Sequence, residues 1–459
     1  MFDAGYLSMN HKVGQASRLP CAYHKVGRPS RLPSASARAS RDACPTLPWL
    51  AAWLLLLLTA TLAPAQEALR QSLAGDAVAE ANARRQLELP YTIKQGDFRL
   101  LLTPGIEQDW NDNINVSSTA PLSDFILQPM LGIGMSYPVT SRNVLRLDAT
   151  VGYDIYYEHP QYDSPLILAG SILSFDTYVK DFVFNVHDRF QFTQDPASAA
   201  STANIARYGG LDNFAGLNVT WDLEDVVLTL NYDHENFVSS TSQYEYLNRA
   251  AELLVGRAGF RLHPALTAGL EATGDFTSYA QTQTMSDFDG YSAGVYGSWH
   301  PGHYTEVQLR GGYTEYFYQQ TAQTIQGLTS DTYYLGLTAN HDISAAISYW
   351  LGAGHELVPG IQAQSVEDWY LRAGLNWKIL KDLSLNTSIG YEYGTQLLLT
   401  QPPSSETFDW GTVGFGASYN VTKHLLLSLT YRFTDRTANL NYRGYTQNFV
   451  GLRLSYLMQ

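Results

Sequence analysis

The chain has 459 residues, of which 45% are hydrophobic and only 16% charged, and its formal net charge is −14. Soluble domains are typically about 25% charged, and the mean hydropathy of −0.18 shows that apolar and polar residues are finely mixed. This mixture favours a β-protein whose two faces meet different solvents. The acidic balance excludes nucleic acid as a partner because like charges repel.

The N-terminal part of the sequence is typical of an export signal. The apolar block Leu50–Leu62 follows Arg38 and Arg41 and precedes Ala63-Pro64-Ala65. A transmembrane helix needs about 20 apolar residues, which this block does not reach. Positive, apolar and small segments in this order form a secretory signal peptide. We therefore expect residues 1–65 to be removed, with cleavage near 65/66.

Removal of residues 1–65 would change the composition of the protein. Both cysteines, Cys21 and Cys44, lie in this part. The mature protein would have no disulfide framework and no thiolate metal site. A basic sequence at residues 11–20 recurs at residues 24–33 without an evident folding role. We interpret residues 1 to about 37 as the product of a start codon assigned too far upstream.

Residues 66–97 are predicted to be a periplasmic lead-in to the main domain. Glu67–Glu88 is rich in alanine and polar residues with weak helical spacing. This composition is compatible with a short helix or with a flexible segment.

From Phe98 to the C-terminus, segments of about ten residues alternate apolar and polar side chains, as transmembrane strands do. In Leu145–Ile155 the odd-numbered positions are apolar, whereas Arg146, Asp148 and Asp154 occupy even-numbered positions. A soluble sandwich also alternates. Here, however, the apolar faces end in Tyr, Trp or Phe, as in the aromatic girdles of membrane proteins. Residues 98–459 are therefore predicted to form an all-β, transmembrane, antiparallel up-and-down β-barrel.

The connections predict the number of strands and their orientation. Short turns such as Lys180-Asp181 alternate with longer polar stretches such as Gln194–Ile205, Gln319–Thr329 and Gly394–Glu406. Short periplasmic turns and long extracellular loops are typical of such barrels. About 18 strands are expected, with 16 as the alternative because Leu166–Val179 alternates weakly. They should begin near Phe98, Phe125, Val144, Leu166, Phe182, Leu211, Val226, Arg249, Leu266, Asp287, Thr305, Thr332, Ala345, Asp368, Leu383, Phe408, Leu425 and Thr446.

Two sets of residues carry a family resemblance. The first strand leads into Asn111-Asp112-Asn113, and Gly-Tyr pairs recur at Gly152-Tyr153, Gly312-Tyr313 and Gly390-Tyr391. With these features, residues 98–459 resemble bacterial outer-membrane β-barrel proteins of the β-barrel porin 2 type. The resemblance implies a porin-like protein in the outer membrane of a Gram-negative envelope. It also implies that some members accompany polysaccharide export.

The last strand, Phe449–Gln459, places an apolar face at the chain terminus. It resembles the signal read by the barrel-assembly machinery, except that it ends in Met458-Gln459 rather than Phe. The other expected partners are outer-membrane lipid, lipopolysaccharide, and small solutes or glycan.

Alternation also predicts which charged residues point into the lumen. These pore-lining candidates would either brace the wall as salt bridges or set a field that steers charged solutes. They are Arg146, Asp148, Asp154, Arg189, Asp222, Asp233, Arg257, Arg261, Glu271, Arg310, Arg372, Glu392, Arg432 and Arg453. Asp188 alternates onto the lipid-facing side instead, so a bulge or a subunit contact is expected near it.

Enzymatic chemistry is not expected. Gly290–Gly294 spells G-x-S-x-G, but the following residues continue a strand instead of the helix that a nucleophile elbow needs. No cofactor site is predicted. His300 and His303 lack a third metal ligand, and the Asp109, Asp112 and Asp124 group lacks EF-hand spacing. The sequence thus favours a porin-like diffusion channel, with a structural or polysaccharide-export-associated barrel as the alternative.

Overall fold

The computed structural model describes residues 90–140, 142–193, 199–206, 209–319, 329–400 and 403–459. The expected signal peptide and the Ala-rich stretch Glu67–Glu88 lie outside these residues. Almost all of the described chain is β-structure. Within it, no helix is both long enough and apolar enough to span a bilayer.

The strands follow one another along the chain as simple hairpins. Their bounds are β1 Ile93–Gln95, β2 Phe98–Asn111, β3 Asp124–Thr140, β4 Asn143–Tyr156, β5 Ser164–Val179, β6 Phe182–Thr193, β7 Gly210–Asp222, β8 Val226–Ser239, β9 Arg249–His263, β10 Leu266–Tyr279, β11 Phe288–Gly302, β12 Thr305–Tyr318, β13 Thr329–Ser344, β14 Ile347–Pro359, β15 Ala363–Lys378, β16 Leu383–Leu398, β17 Ser404–Asn420, β18 Leu425–Ala438 and β19 Tyr445–Tyr456. Single 3-10 turns occupy Pro160–Tyr162, Ser242–Leu247 and Asn441–Arg443.

The strands β2–β19 close into one antiparallel barrel of 18 strands. Each strand pairs with its sequence neighbours, and β19 pairs with β2 from Phe449↔Asn111 to Ser455↔Gly105. Closure removes free sheet edges, which is required where lipid offers no hydrogen bonds. The predicted fold class and the count of 18 are confirmed, and the alternative of 16 is wrong. Every predicted strand start lies within five residues of the observed one.

Several strands extend beyond the boundaries predicted from sequence. Most of the predicted loop Gly394–Glu406 is strand, since β16 continues to Leu398 and pairs there with Ser404 of β17. Cross-strand backbone hydrogen bonds continue here through polar residues, although a polar composition by itself predicts a loop. The predicted loops Gln194–Ile205 and Gln319–Thr329 lie partly outside the described residues. At the described end of the lead-in, β1 pairs with the beginning of β2.

The outward face carries an apolar band between two rows of aromatic residues. The band includes exposed Leu270, Val295, Leu309, Leu335, Val413, Leu429 and Leu452. Aromatic residues lie toward the turns, at Tyr137, Trp221, Trp299, Tyr349, Tyr419 and Tyr456, and toward the loops, at Tyr232, Tyr291, Tyr313, Tyr333, Trp369, Tyr391 and Tyr431. Two aromatic girdles around an apolar band are the surface of a transmembrane barrel.

A belt of outward carboxylates lies on the loop side of this band. The belt consists of Glu252, Asp289, Glu315, Asp331, Glu367, Asp409 and Asp435. Tyrosines of the loop-side girdle donate hydrogen bonds to it. Tyr232 Oη lies 2.6 Å from Glu252 Oε2, and Tyr313 bonds Asp331. Charged side chains are costly in hydrocarbon, so the belt marks the loop-side boundary of the membrane.

Asp188 lies on the same row as Glu252, through the register Asp188↔Ala215↔His234↔Glu252. It faces outward and accepts a hydrogen bond from Asn213. The expected bulge lies beside it, where the register of β5 and β6 shifts between Ile167 and Ser171.

Candidate functional site

The inward face of the barrel has polar side chains in both halves, with buried apolar groups such as Phe214 and Leu253 between them, and the two halves differ in exposure. Toward the turns, the inward side chains of Asp148, Gln308 and Thr338 are exposed. Toward the loops, inward Thr434 and Gln447 are completely buried. The lumen is therefore a water-accessible bore on the turn side and a filled interior on the loop side.

Six of the predicted inward arginines pair with a carboxylate, five of them away from the turn-side rim. Arg146 Nη1 lies 3.1 Å from Asp176 Oδ2, Arg189 Nη2 lies 3.2 Å from Asp233 Oδ1, and Arg257 Nε lies 3.2 Å from Glu271 Oε2. Arg372 Nε donates to Glu392 Oε1 at 3.0 Å, and Arg453 Nε donates to Glu107 Oε2 at 2.6 Å. These pairs join strands of the wall and neutralise the charge of the five arginines.

The other predicted lumen residues have different positions. Arg261 and Asp222 form a bidentate pair at the turn-side rim, with bonds of 2.6 and 2.7 Å. They therefore lie at the turn-side mouth of the barrel. Asp154 is buried in the loop half. Arg432 Nη2 donates to Gln447 Oε1 at 3.2 Å. The pore-lining role of all these residues remains a prediction.

Arginine and aromatic side chains repeat around the wall. Arg189, Arg257, Arg310, Arg372 and Arg432 lie on β6, β9, β12, β15 and β18, which is every third strand. Each guanidinium lies over an aromatic ring, at 5.1 to 5.5 Å from its centroid, in the pairs Arg189–Phe214, Arg257–Tyr296, Arg310–Tyr334, Arg372–Tyr370 and Arg432–Phe449. Such stacking stabilises the cation by about 0.5 to 2 kcal/mol and fixes its orientation.

A glycine allows one of the buried contacts to form across an intervening strand. His187 of β6 and Asp233 of β8 flank Gly216 of β7 in register. His187 Nε2 and Asp233 Oδ1 are 2.8 Å apart and both side chains are buried. A Cβ at Gly216 would lie 2.8 Å from His187 Nε2. Only glycine leaves room for this contact.

Gly216→Ala should therefore destabilise the barrel. Separating a buried imidazole from its carboxylate costs about 1 to 3 kcal/mol. The measurement is the temperature at which the compact gel band converts to the unfolded band. Gly352→Ala is the matched control, because a Cβ there meets nothing within 4 Å. Equal melting of the two variants would contradict the assigned role of Gly216.

The loop half of the bore is filled by the segment Ala199–Ile205, which we call the crossing segment. It leaves the wall between β6 and β7, and its exposed fractions are 0–2% at Ala199 and Ile205 and at most of the positions between them. Gln362 Nε2 donates to Ala203 O at 3.2 Å, and Gln396 Nε2 donates to Ser201 O at 2.9 Å. Gln362 and Gln396 belong to the region of β15 and β16, half-way round the barrel from β6 and β7. Contact with the opposite wall means that the segment crosses the lumen.

A buried ion cluster holds the crossing segment in place. Glu406 Oε1 lies 2.9 Å from Arg436 Nη1 and 2.8 Å from Arg443 Nε, and all three side chains are at most 5% exposed. The same guanidiniums donate to the segment backbone, from Arg436 Nε to Ala200 O at 2.8 Å and from Arg443 Nη2 to Ser201 O at 3.0 Å. Two cations thus share one carboxylate and the carbonyls of the segment. Removing one member would leave buried charge uncompensated.

The β8–β9 and β10–β11 loops also make contacts with a more distant part of the barrel on the loop side of the bore. Tyr246 Oη, in the Ser242–Leu247 turn, donates to Ile361 O at 3.2 Å. Desolvation raises the pKa of the Tyr246 phenol to about 12, so the donor stays protonated at neutral pH. Gln364 Nε2 donates to Thr284 O at 3.0 Å. These contacts join the β8–β9 loop to the connection between β14 and β15, and the β10–β11 loop to the beginning of β15.

The sequence prediction missed the crossing segment and the ion cluster. Ala199–Ala203 consists of small residues and was part of a predicted loop. Glu406 was also assigned to a loop, although it is an inward residue of β17. Arg436 could have been found, since it alternates with Arg432 and Thr434 on one face of β18.

The sequence analysis considered two kinds of chemical site, a nucleophile elbow and a metal site. Gly290–Gly294 lies within β11, where Ser292 Oγ bonds Thr273 Oγ1. Among the described residues, no group of three His, Cys, Asp or Glu side chains could hold a metal ion.

The closed barrel, the apolar band with its girdles and the polar bore define a transmembrane β-barrel of the bacterial outer-membrane class. No protein-family model matches the chain, and no curated protein matches its sequence. Solved structures similar to it include OccK5 (OpdH) of Pseudomonas aeruginosa, at 11% identity and a TM-score of 0.45, covering 78% of this chain and 98% of that one. A BenF-like porin from Pseudomonas fluorescens Pf-5 matches at 9% identity and a TM-score of 0.46, covering 79% and 99%. OccAB3 of Acinetobacter baumannii matches at 10% identity and a TM-score of 0.44, covering 79% and 99%.

Proposed function

We propose that this protein is a porin-like channel for the diffusion of small solutes across the outer membrane. The observation that carries the proposal is the bore, which is exposed to water through the turn half and lined by arginines on every third strand from β6 to β18. A barrel of about 18 strands is wide enough to leave an aqueous lumen. Passage through the loop half then depends on the crossing segment.

The expected result in a planar lipid bilayer is discrete conductance steps from the purified barrel. Conductance steps arise because water and ions occupy the turn half of the bore and pass through the loop half when the crossing segment moves aside. A preparation without any steps, although its gel mobility changes on heating as a folded barrel's does, would exclude the channel. The heat-denatured protein is the control.

A structural or polysaccharide-export-associated barrel is the second candidate. The filled loop half of the bore favours it, because a barrel that only supports a partner or binds glycan needs no open path. Conductance separates the two candidates, since this alternative predicts a folded barrel that does not conduct.

Five further assignments belong to this proposal. The chain is of the β-barrel porin 2 type and acts without enzymatic chemistry. Residues 1–65 are removed before assembly, which N-terminal sequencing checks at Gln66. The C-terminal strand is read by the barrel-assembly machinery.

The carboxylate belt lies at the level of lipid head groups, where divalent cations would link it to lipopolysaccharide phosphate. Co-purification of lipopolysaccharide that EDTA abolishes checks this last assignment.

A further inference from the structure

Arg310 differs from the two nearest arginines in the series that lies on every third strand. Among the residues that the structure describes, it has no carboxylate partner, and its recorded contact is the ring of Tyr334, whose centroid lies 5.5 Å from Cζ. Arg257 and Arg372 lie on the neighbouring arginine-bearing strands of the series, and each is paired with a glutamate. The wall is thus neutralised on both sides of Arg310 but not at Arg310 itself.

The register of the strands explains this difference. Glu271 stands opposite Arg257, and Glu107 stands opposite Arg453. The residue opposite Arg310 is Gly336. A Cβ on Gly336 would lie 3.0 Å from both Cγ and Nε of Arg310, so the arginine side chain lies across the glycine. Arg372 also stands opposite glycines, Gly352 and Gly390, but it reaches Glu392 one inward position along β16. Around Arg310 the corresponding inward positions are Gly294 and Ser298 on β11 and Tyr334 and Thr338 on β13, and none of them is a carboxylate.

The surrounding side chains form a connected group with excess positive charge. Tyr334 Oη donates to Glu271 Oε1 at 2.9 Å, and the other oxygen of Glu271 accepts from Arg257 Nε. The guanidinium of Arg310 lies over the ring of Tyr334. This group therefore contains two guanidiniums and one carboxylate, which leaves a net charge of about +1 in a partly buried setting, where screening by water is weaker.

A solute can reach Arg310 from the turn side. Gln308 precedes it on the same inward face and is exposed, as is Thr338 on β13. The crossing segment fills the bore on the loop side. Arg310 therefore lies within the part of the lumen that is open to water.

We infer that Arg310 is a binding subsite for small carboxylate anions in the bore. Its side chain lies across Gly336, and its guanidinium lies over the ring of Tyr334. A guanidinium presents a planar fork of donors that matches the two oxygens of a carboxylate. The bound anion takes the place that Glu271 has beside Arg257. This inference rests on the proposed channel function and names its solute class.

Saturation-transfer NMR on the purified protein in detergent tests the inference without requiring conductance. Benzoate is the probe because its ring protons report binding, and benzamide is the uncharged probe of the same shape. We expect saturable binding of benzoate with a clear preference over benzamide. Arg310→Gln should weaken benzoate binding about tenfold to a hundredfold, the range for one charged hydrogen-bonded contact. Arg310→Lys should fall between, since it keeps the charge and loses the fork.

Gly336→Glu provides a second variant that retains the arginine. A carboxylate opposite Arg310 reproduces the Arg257–Glu271 arrangement, so benzoate binding should also fall at least about tenfold. The control is Arg261→Gln with Asp222→Asn, which removes a neutral pair at the rim and should change binding less than twofold. Heat-modifiable gel mobility checks that each variant is folded.

Two results would overturn the inference. One is a folded variant, either Arg310→Gln or Gly336→Glu, that binds benzoate with the same affinity as the wild type. The other is a wild type that binds benzamide as well as benzoate. Conductance of the same preparations separates this failure from that of the proposed function. A barrel that conducts without preferring benzoate discards only the subsite, and one that binds benzoate through Arg310 without conducting discards only the channel.

Discussion

Replacing residues 199–205 with a short glycine-serine linker should raise the single-channel conductance several-fold above that of the wild type. The crossing segment fills the loop half of the bore and reaches the wall at Gln396. Its removal would expose the inward polar side chains of β15–β18 to water and widen the path at its narrowest part. The measurement is the step size in planar bilayers at fixed salt.

The control for this experiment is the same linker in place of residues 119–121, which are exposed in the connection between β2 and β3. That variant should conduct like the wild type. Glu406→Gln should give an intermediate result, because Arg436 and Arg443 lose their shared carboxylate but still donate to the segment backbone. Unchanged conductance after replacement, in a barrel that remains folded, would mean that the crossing segment does not limit flow.

Changing Arg257, Arg310 and Arg372 together to Ser should shift the ion selectivity of the channel strongly toward cations. The change removes the unpaired charge of Arg310 and leaves Glu271 and Glu392 without their guanidiniums. The fixed charge of the bore thus becomes more negative by three. Such charges act within about one Debye length, roughly 8 Å at physiological salt, so the shift should fade as salt is raised.

Reversal potentials in a salt gradient measure this selectivity. The control is Arg261→Ser at the turn-side rim, where the side chains of the pair are 37% and 50% exposed and more strongly screened. Its effect should be much smaller. If the triple variant keeps the wild-type selectivity and only melts at a lower temperature, the arginines brace the wall and do not set a field.

Alternation predicted the wall of the barrel well because each strand has only two faces. A single pattern such as Arg146, Asp148 and Asp154 on one face fixes which side chains point inward, and the turns then fix the strand count. The ends of strands were predicted less well. Polar residues such as Thr395 and Thr407 pair across β16 and β17 beyond the membrane, where composition no longer distinguishes strand from loop.

The contents of the bore could not be predicted in this way. Ala199–Ile205 lies inside because Gln362, Gln396 and Arg436 hold its backbone from strands that are far away in sequence, and no local pattern records such contacts. The special position of Arg310 likewise depends on register. Only the pairing of β12 with β13 shows that Gly336, and not a carboxylate, stands opposite it.

The central claim, a bore open on the turn side and closed by the crossing segment, can be tested by thiol labelling. The sequence after residue 65 has no cysteine, so Thr338→Cys and Thr434→Cys each introduce one inward thiol into the mature protein. Thr338 is exposed in the turn half and Thr434 is completely buried in the loop half. With a water-soluble maleimide, Thr338→Cys should react rapidly and Thr434→Cys slowly. Replacement of residues 199–205 should then make the second thiol as reactive as the first. Equal reaction of both thiols with the crossing segment intact would contradict the account.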